Sequence, residues 1–170
     1  MLKKTLLALS CITIAISTYA KEITIPTARG EVTLAAPPAK IAVFDTGSLD
    51  TLQALGVKVD GAADVGKILP YLKPTLEKAK NVGTIFEPNL EALNELKPDL
   101  IIVGTRTAKK FDDVSAIAKT IDLTDNGDKL VESGIQRIDS FGRLFDKQAA
   151  ADKLKGELET LLKDTKAAVK

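Results

Sequence analysis

Histidine is missing from all 170 residues, and a single cysteine, Cys11, is the only thiol. Each absence removes chemistry. Without histidine there is no Ser-His-Asp or Cys-His nucleophile system, no HExxH metal site and no histidine general base. Cys11 lies in the amino-terminal apolar run, so nothing downstream of it can form a disulfide or act as a thiol. Charge of one sign is missing as well: the formal net charge is +1, which gives no global field favouring nucleic acid. No GxGxxG, GKS or GKT is present to cradle phosphate, and the acids between Asp122 and Asp128 lack the terminal glutamate of a calcium loop. Carboxylate or lysine chemistry is left open. The balance moves toward binding.

What is present begins with a leader. Lys3 and Lys4 precede an apolar run over residues 6–16, and Thr18 and Ala20 are the small residues of a cleavage site. Residues 1–20 therefore read as a secretory signal peptide cut after Ala20, too short to stay as a membrane anchor. Cys11 raises lipid attachment, but Ala8 does not open a lipidation box and the run stays apolar past Cys11. Cleavage takes the formal charge to −1, with 22 basic against 23 acidic residues.

Beyond the leader, 45% hydrophobic and 28% charged residues suit one domain with a real core. Ile23 and Ile25, a turn over residues 28–30, then Val32 and Leu34 predict a hairpin. Pro37 and Pro38 break the chain before a buried strand over residues 41–44. Asp45 to Ser48 is the crossing into a helix carrying Leu49, Leu52 and Leu55, with Gly56 as its stop. Residues 57–63 predict the next strand. Pro70 and Pro74 divide residues 68–80 into a turn, a break and a short helix, and residues 82–85 a brief extended piece.

The stretch EPNLEALNELKPDLIIVGTR, residues 87–106, organises the rest. Asn89 caps a helix, Pro98 ends it, and Leu100 to Val103 form a solid apolar run expected of a parallel strand buried on both faces. Ligands collect at the carboxyl ends of such strands, which points to Gly104, Thr105 and Arg106. A helix over residues 109–119, a strand with alternating side chains over 120–124, a turn at 125–128 and a helix over 130–145 follow. Asp146 is expected to cap a last helix with Leu154, Leu158, Leu161 and Leu162 on one stripe and a Glu159–Lys163 pair. That helix meets no stop signal before Lys170.

Alternating strands and helices indicate an α/β fold: an open, mainly parallel sheet flanked by helices, with a long carboxyl-terminal helix. KIAVFDTGSLDTLQALGV, followed by VGTIFEPNLEALNELKPDLIIVGTR, resembles the amino-terminal lobe of periplasmic substrate-binding proteins of iron-siderophore and cobalamin ABC importers, most of all the catecholate branch. The resemblance runs from about residue 39 to the end. It implies a hairpin and linker at 21–38, a ligand-binding lobe at 39–145, and the start of an interlobe connector helix at 146–170. The second lobe is not in these 170 residues, so half a cleft is expected, with ligand affinity several orders of magnitude below a two-lobed form.

By position, Arg106 matches the arginine that contacts iron-bound oxygens in the catecholate branch. A ferric tris-catecholate carries roughly −3 charge, and a guanidinium offers it several charge-assisted donors. The alternative is a surface arginine pairing with Asp112. Glu91 matches the acid that docks on the inner-membrane permease, and it also suits the positive end of a helix dipole. Thr105, Thr46 and Ser48 are further ligand-binding candidates at strand exits, with Lys67, Lys109 and Lys110 as rim cations and Tyr71 as a ring for stacking. Thr46, Gly47 and Ser48 equally suit a helix start.

The resemblance implies a non-enzymatic receptor for a ferric siderophore. No cofactor is expected, iron arriving only within its chelator because no histidine or compact carboxylate cluster awaits it. A cobalamin- or haem-binding member of the superfamily is one alternative. A small secreted carboxylate hydrolase using Asp45 and Asp64 is another. A third is an interaction module that self-associates through the leucine stripe.

Overall fold

Glycine, proline and short β-branched runs divide the chain into elements that alternate strand and helix. A computed structural model describes residues 21–65 and 69–169; the leader with its cleavage site and Cys11, and Lys67, lie outside them. Strands β1 (Lys21–Thr27) and β2 (Gly30–Ala36) pair antiparallel as the expected hairpin, with Gly30 at a φ of 100° closing the turn. Ile23, Ile25 and Leu34 point into the core. The Thr24 and Thr33 hydroxyls meet at 2.9 Å on the outer face.

The main sheet holds β3 (Ile41–Val43), β4 (Gly61–Asp64), β5 (Lys80–Thr84), β6 (Leu100–Val103) and β7 (Thr120–Asp122). All are parallel, in the order β5-β4-β3-β6-β7. The chain thus starts in the middle, moves out to one edge, then returns past β3 to build the other. β3 and β6 are buried throughout, which is why they read as continuous apolar runs. Each fully buried Leu or Ile in them contributes about 1.5–3 kcal/mol relative to exposure.

The helices are α1 (Thr46–Ala54), α2 (Lys73–Leu76), α3 (Leu90–Leu96), α4 (Phe111–Ser115), α5 (Leu130–Leu144) and α6 (Gln148–Ala168). Short 3-10 turns lead into α2, α4 and α5. Asn89 caps α3 by accepting the Ala92 amide at 2.9 Å, and Lys97 ends it in a left-handed conformation just before Pro98. The fold is the expected α/β sheet with a long final helix.

Several local expectations change. The Asp45–Ser48 crossing is tighter than expected, because Asp45 is itself the cap and residues 46–48 are the first turn of α1. The helix expected over residues 109–119 is a 3-10 turn and five residues of α4. β7 is buried at all three residues rather than alternating, since a strand at this edge is covered on both faces. Asp146 does not cap α6: it adopts φ 56°, the left-handed geometry that lets α5 turn directly into α6. Glu159 and Lys163 make no ion pair; on this helix Lys153 pairs with Glu157 instead.

α6 docks only through its first half. Ala151 is buried against Gly142, where any side chain would collide with it. Lys155 bridges Asp139 of α5 at 3.2 Å and Asp152 at 3.0 Å. Desolvation opposes ionisation of Asp139, yet the Lys155 hydrogen bond and charge, then Arg143 and Gln148, hold its carboxyl below the usual range. Farther along, Leu161 is 64% exposed. Among the described residues no helix is long and apolar enough to cross a membrane.

Candidate functional site

In an open parallel sheet the crevice opens where the strand order reverses, outside the carboxyl ends. Here that point lies between β3 and β6, which pair from Ile41–Leu100 to Val43–Ile102. The exits of these two strands, Asp45 and Gly104, are consequently neighbours. They touch so closely that a Cβ on residue 104 would overlap the Asp45 carboxylate, which explains glycine there. Asp45 in turn accepts the Ser48 amide at 2.7 Å and anchors α1.

The loop after β6 is held from every side. Thr107, fully buried, donates its hydroxyl to Ile85 O at 2.5 Å and lies 3.3 Å from Phe44 O, joining the exits of β3, β5 and β6. Lys110 pairs with Glu87 at 3.2 Å. Arg29, at the tip of the β1–β2 hairpin, donates to Asp122 at 3.1 Å and to Ala108 O at 3.2 Å, and stacks 4.0 Å from the Phe111 ring centroid. A rim with this many backbone anchors presents its side chains without paying much ordering entropy on binding.

Arg106 stands on this rim, exposed, with its guanidinium over Phe86 at 5.6 Å from the ring centroid. Among the described residues it makes no hydrogen bond or ion pair, and Asp112 does not pair with it. All of its donors stay available. Thr105 and Lys109 are exposed beside it. Thr46 is half-buried in the first turn of α1, and Ser48, also in that turn, is fully buried with its hydroxyl unbonded. Glu91 is exposed and, among the described residues, unpaired in the first turn of α3, which starts at the carboxyl ends of the strands as Arg106 does. Tyr71 lies apart, half-exposed near α1, where its carbonyl accepts from Gln53 at 3.1 Å.

A second arginine was not anticipated from the sequence. Arg137 of α5 is buried against the backbone of Gly47 and ion-pairs with Asp125 in the loop after β7. Its signal was legible: a charged residue one turn before Phe141, on the apolar face of a helix, needs a partner. Arg137 and Asp125 line a cavity of about 180 Å³ beneath the hairpin tip, with Thr27, Ser133 and Ser140. Phe86, Thr107 and Arg29 also escaped the sequence reading, because their roles rest on contacts between distant loops.

Asp45 is committed to the helix cap and Asp64 sits at the end of β4, so the two carboxylates are held by different elements. Among the described residues no group of three or more histidine, cysteine or acidic side chains converges as a metal site.

The parallel sheet has its switch point between β3 and β6, with an arginine just past the exit of β6. Residues 41–170 match the family described as periplasmic binding protein, and the chain belongs to it. Among its relatives is the petrobactin-binding protein YclQ of Bacillus subtilis, 40% identical over 126 residues, or 73% of this chain and 39% of that protein. The crystal structure of YclQ superposes with a TM-score of 0.77 at 32% identity, covering 85% of this chain and 52% of that one. The periplasmic catecholate-siderophore binding protein VctP of Vibrio cholerae does so with a TM-score of 0.77 at 29% identity, again over 85% and 52%. The chain spans about half the length of these solved relatives.

Proposed function

We propose that this chain is the solute-binding component of an ABC importer, working in the periplasm after removal of residues 1–20 and carrying a ferric siderophore of the catecholate type. Residues 39–145 form one ligand-binding wall, residues 21–38 its hairpin and linker, and 146–170 the start of the interlobe helix. One observation carries the reading: Arg106 stands at the switch point, on a clamped rim, with every guanidinium donor unused. The names of the relatives, which are binding proteins for siderophores, support the same class.

In this reading Arg106 takes the negatively charged oxygens around iron, and Thr105, Lys109 and Thr46 extend the polar surface. Ser48, being buried, acts there only by shaping the helix start. Glu91 docks on basic residues of the inner-membrane permease. No bond is made or broken, and iron is cargo. Self-association through α6 is a second partnership, favoured by exposed Leu161.

The test is calorimetric titration of the chain with the ferric complex of a hexadentate tris-catechol chelator. Arg106→Ala should lower affinity by about 10- to 100-fold, as expected for a charge-assisted contact. Binding that ignores this substitution, or no binding at all, would sink the reading.

A further inference from the structure

Phe86 is 55% exposed at the exit of β5, yet it is not loosely held. The Thr84 hydroxyl accepts the amides of Phe86 at 3.3 Å and Glu87 at 3.0 Å, and the Thr84 amide donates to Glu87 O at 2.9 Å. This closes a tight turn with Phe86 at its outer corner. The residue before it, Ile85, accepts the Thr107 hydroxyl, and the residue before Thr107 is Arg106. One buried hydrogen bond therefore holds the two loops side by side, and across them the guanidinium lies over the ring at 5.6 Å. Arg106 brings unused donors and Phe86 brings open aromatic surface.

We propose that Phe86 and Arg106 form a single two-part subsite that selects anionic ligands bearing flat aromatic rings over anionic ligands built from aliphatic carboxylates. It rests on the receptor reading above and adds a specificity residue to it. The guanidinium draws the charged oxygens, which both ligand classes possess. The ring then packs against an aryl group edge-to-face or offset, a contact that an aliphatic chelate cannot return. The ring beneath the cation also narrows how far the guanidinium sweeps the rim.

The experiment titrates the chain with two anionic iron complexes, the ferric complex of a hexadentate tris-catechol chelator and ferric dicitrate, and compares wild type with Phe86→Ala, Phe86→Leu and Phe86→Trp. Loss of one ring contact should weaken the catechol complex about 5-fold in both Ala and Leu variants. Ferric dicitrate should stay within about 2-fold, and Trp should preserve the preference. Leu keeps apolar bulk on an exposed corner, so it separates loss of the ring from any disturbance of the turn. A preference ratio unchanged by Ala and Leu overturns the subsite while leaving the receptor intact. A wild-type chain that binds neither complex overturns the receptor reading and the subsite together.

Discussion

Two arginines, one on α5 and one at the exit of β6, are used in opposite ways. Arg137, reaching toward the loop after β7, is buried and ion-paired with Asp125, whereas Arg106, after β6, is exposed with no acceptor among the described residues. The first charge is met inside the fold by Asp125, though its buried Nε has no partner among the described residues. The second is held ready by a fold that anchors its loop through backbone and neighbouring side chains instead. A charge that serves stability must be met inside the protein, and one that serves a ligand must be left unmet, with the cost of ordering it carried elsewhere.

Substitutions can break this contrast, beginning with the largest effect. Asp125→Ala leaves the buried Arg137 guanidinium unpaired and should cost about 3 kcal/mol, read from urea unfolding. A loss below about 1 kcal/mol would show that the pair is incidental. Gly104→Ala pushes a methyl group into the Asp45 carboxylate and should cost about 2 kcal/mol by displacing the α1 cap. It should also weaken binding, since residues 105 and 106 move with it.

Next comes acid. The folded carboxyl of Asp139 is depressed, so its contribution is present above its unfolded pKa and is lost as pH falls through the lower folded value. Lys155 is raised by Asp152 and Asp139, so its share is present below its unfolded pKa and is lost only as pH rises through the higher folded value. The α5–α6 junction should therefore loosen below about pH 4 while neutral pH leaves it intact, visible as falling helicity by circular dichroism. Asp139→Asn should remove that acid step. Smallest in stability is Arg106→Ala, expected within about 0.5 kcal/mol of wild type despite its large effect on binding. A substantial loss of stability there would erase the contrast between the two arginines.

Much of the frame was legible because it obeys local rules. The LIIV run, the Asn89 cap and the Lys-Pro-Asp break needed only periodicity and backbone chemistry, and they placed Arg106 just past the carboxyl end of β6. Asp146 was misread because its short polar side chain suits both a cap and a left-handed turn, and only the packing of α5 on α6 decides between them. The α4 segment was overextended because Ile117 and Ala118 keep helical spacing after the hydrogen-bonded helix has ended. Thr107 and Arg29 could not be read at all. Their partners lie 22 and 93 residues away, respectively, and nothing local marks them.

The hairpin clamp has a consequence for the order of assembly. Arg29 leaves the ribosome early, but the carboxylate that receives it belongs to β7, 93 residues later. Contacts of such separation stabilise only after the long intervening loop has been closed. The hairpin must wait, formed or half-formed, until the last strand is laid against the sheet. The rim after β6 thereby gains its last clamp only with β7, and chains that stall before β7 would keep its Thr107 and Lys110 anchors but lack the Arg29–Asp122 contact.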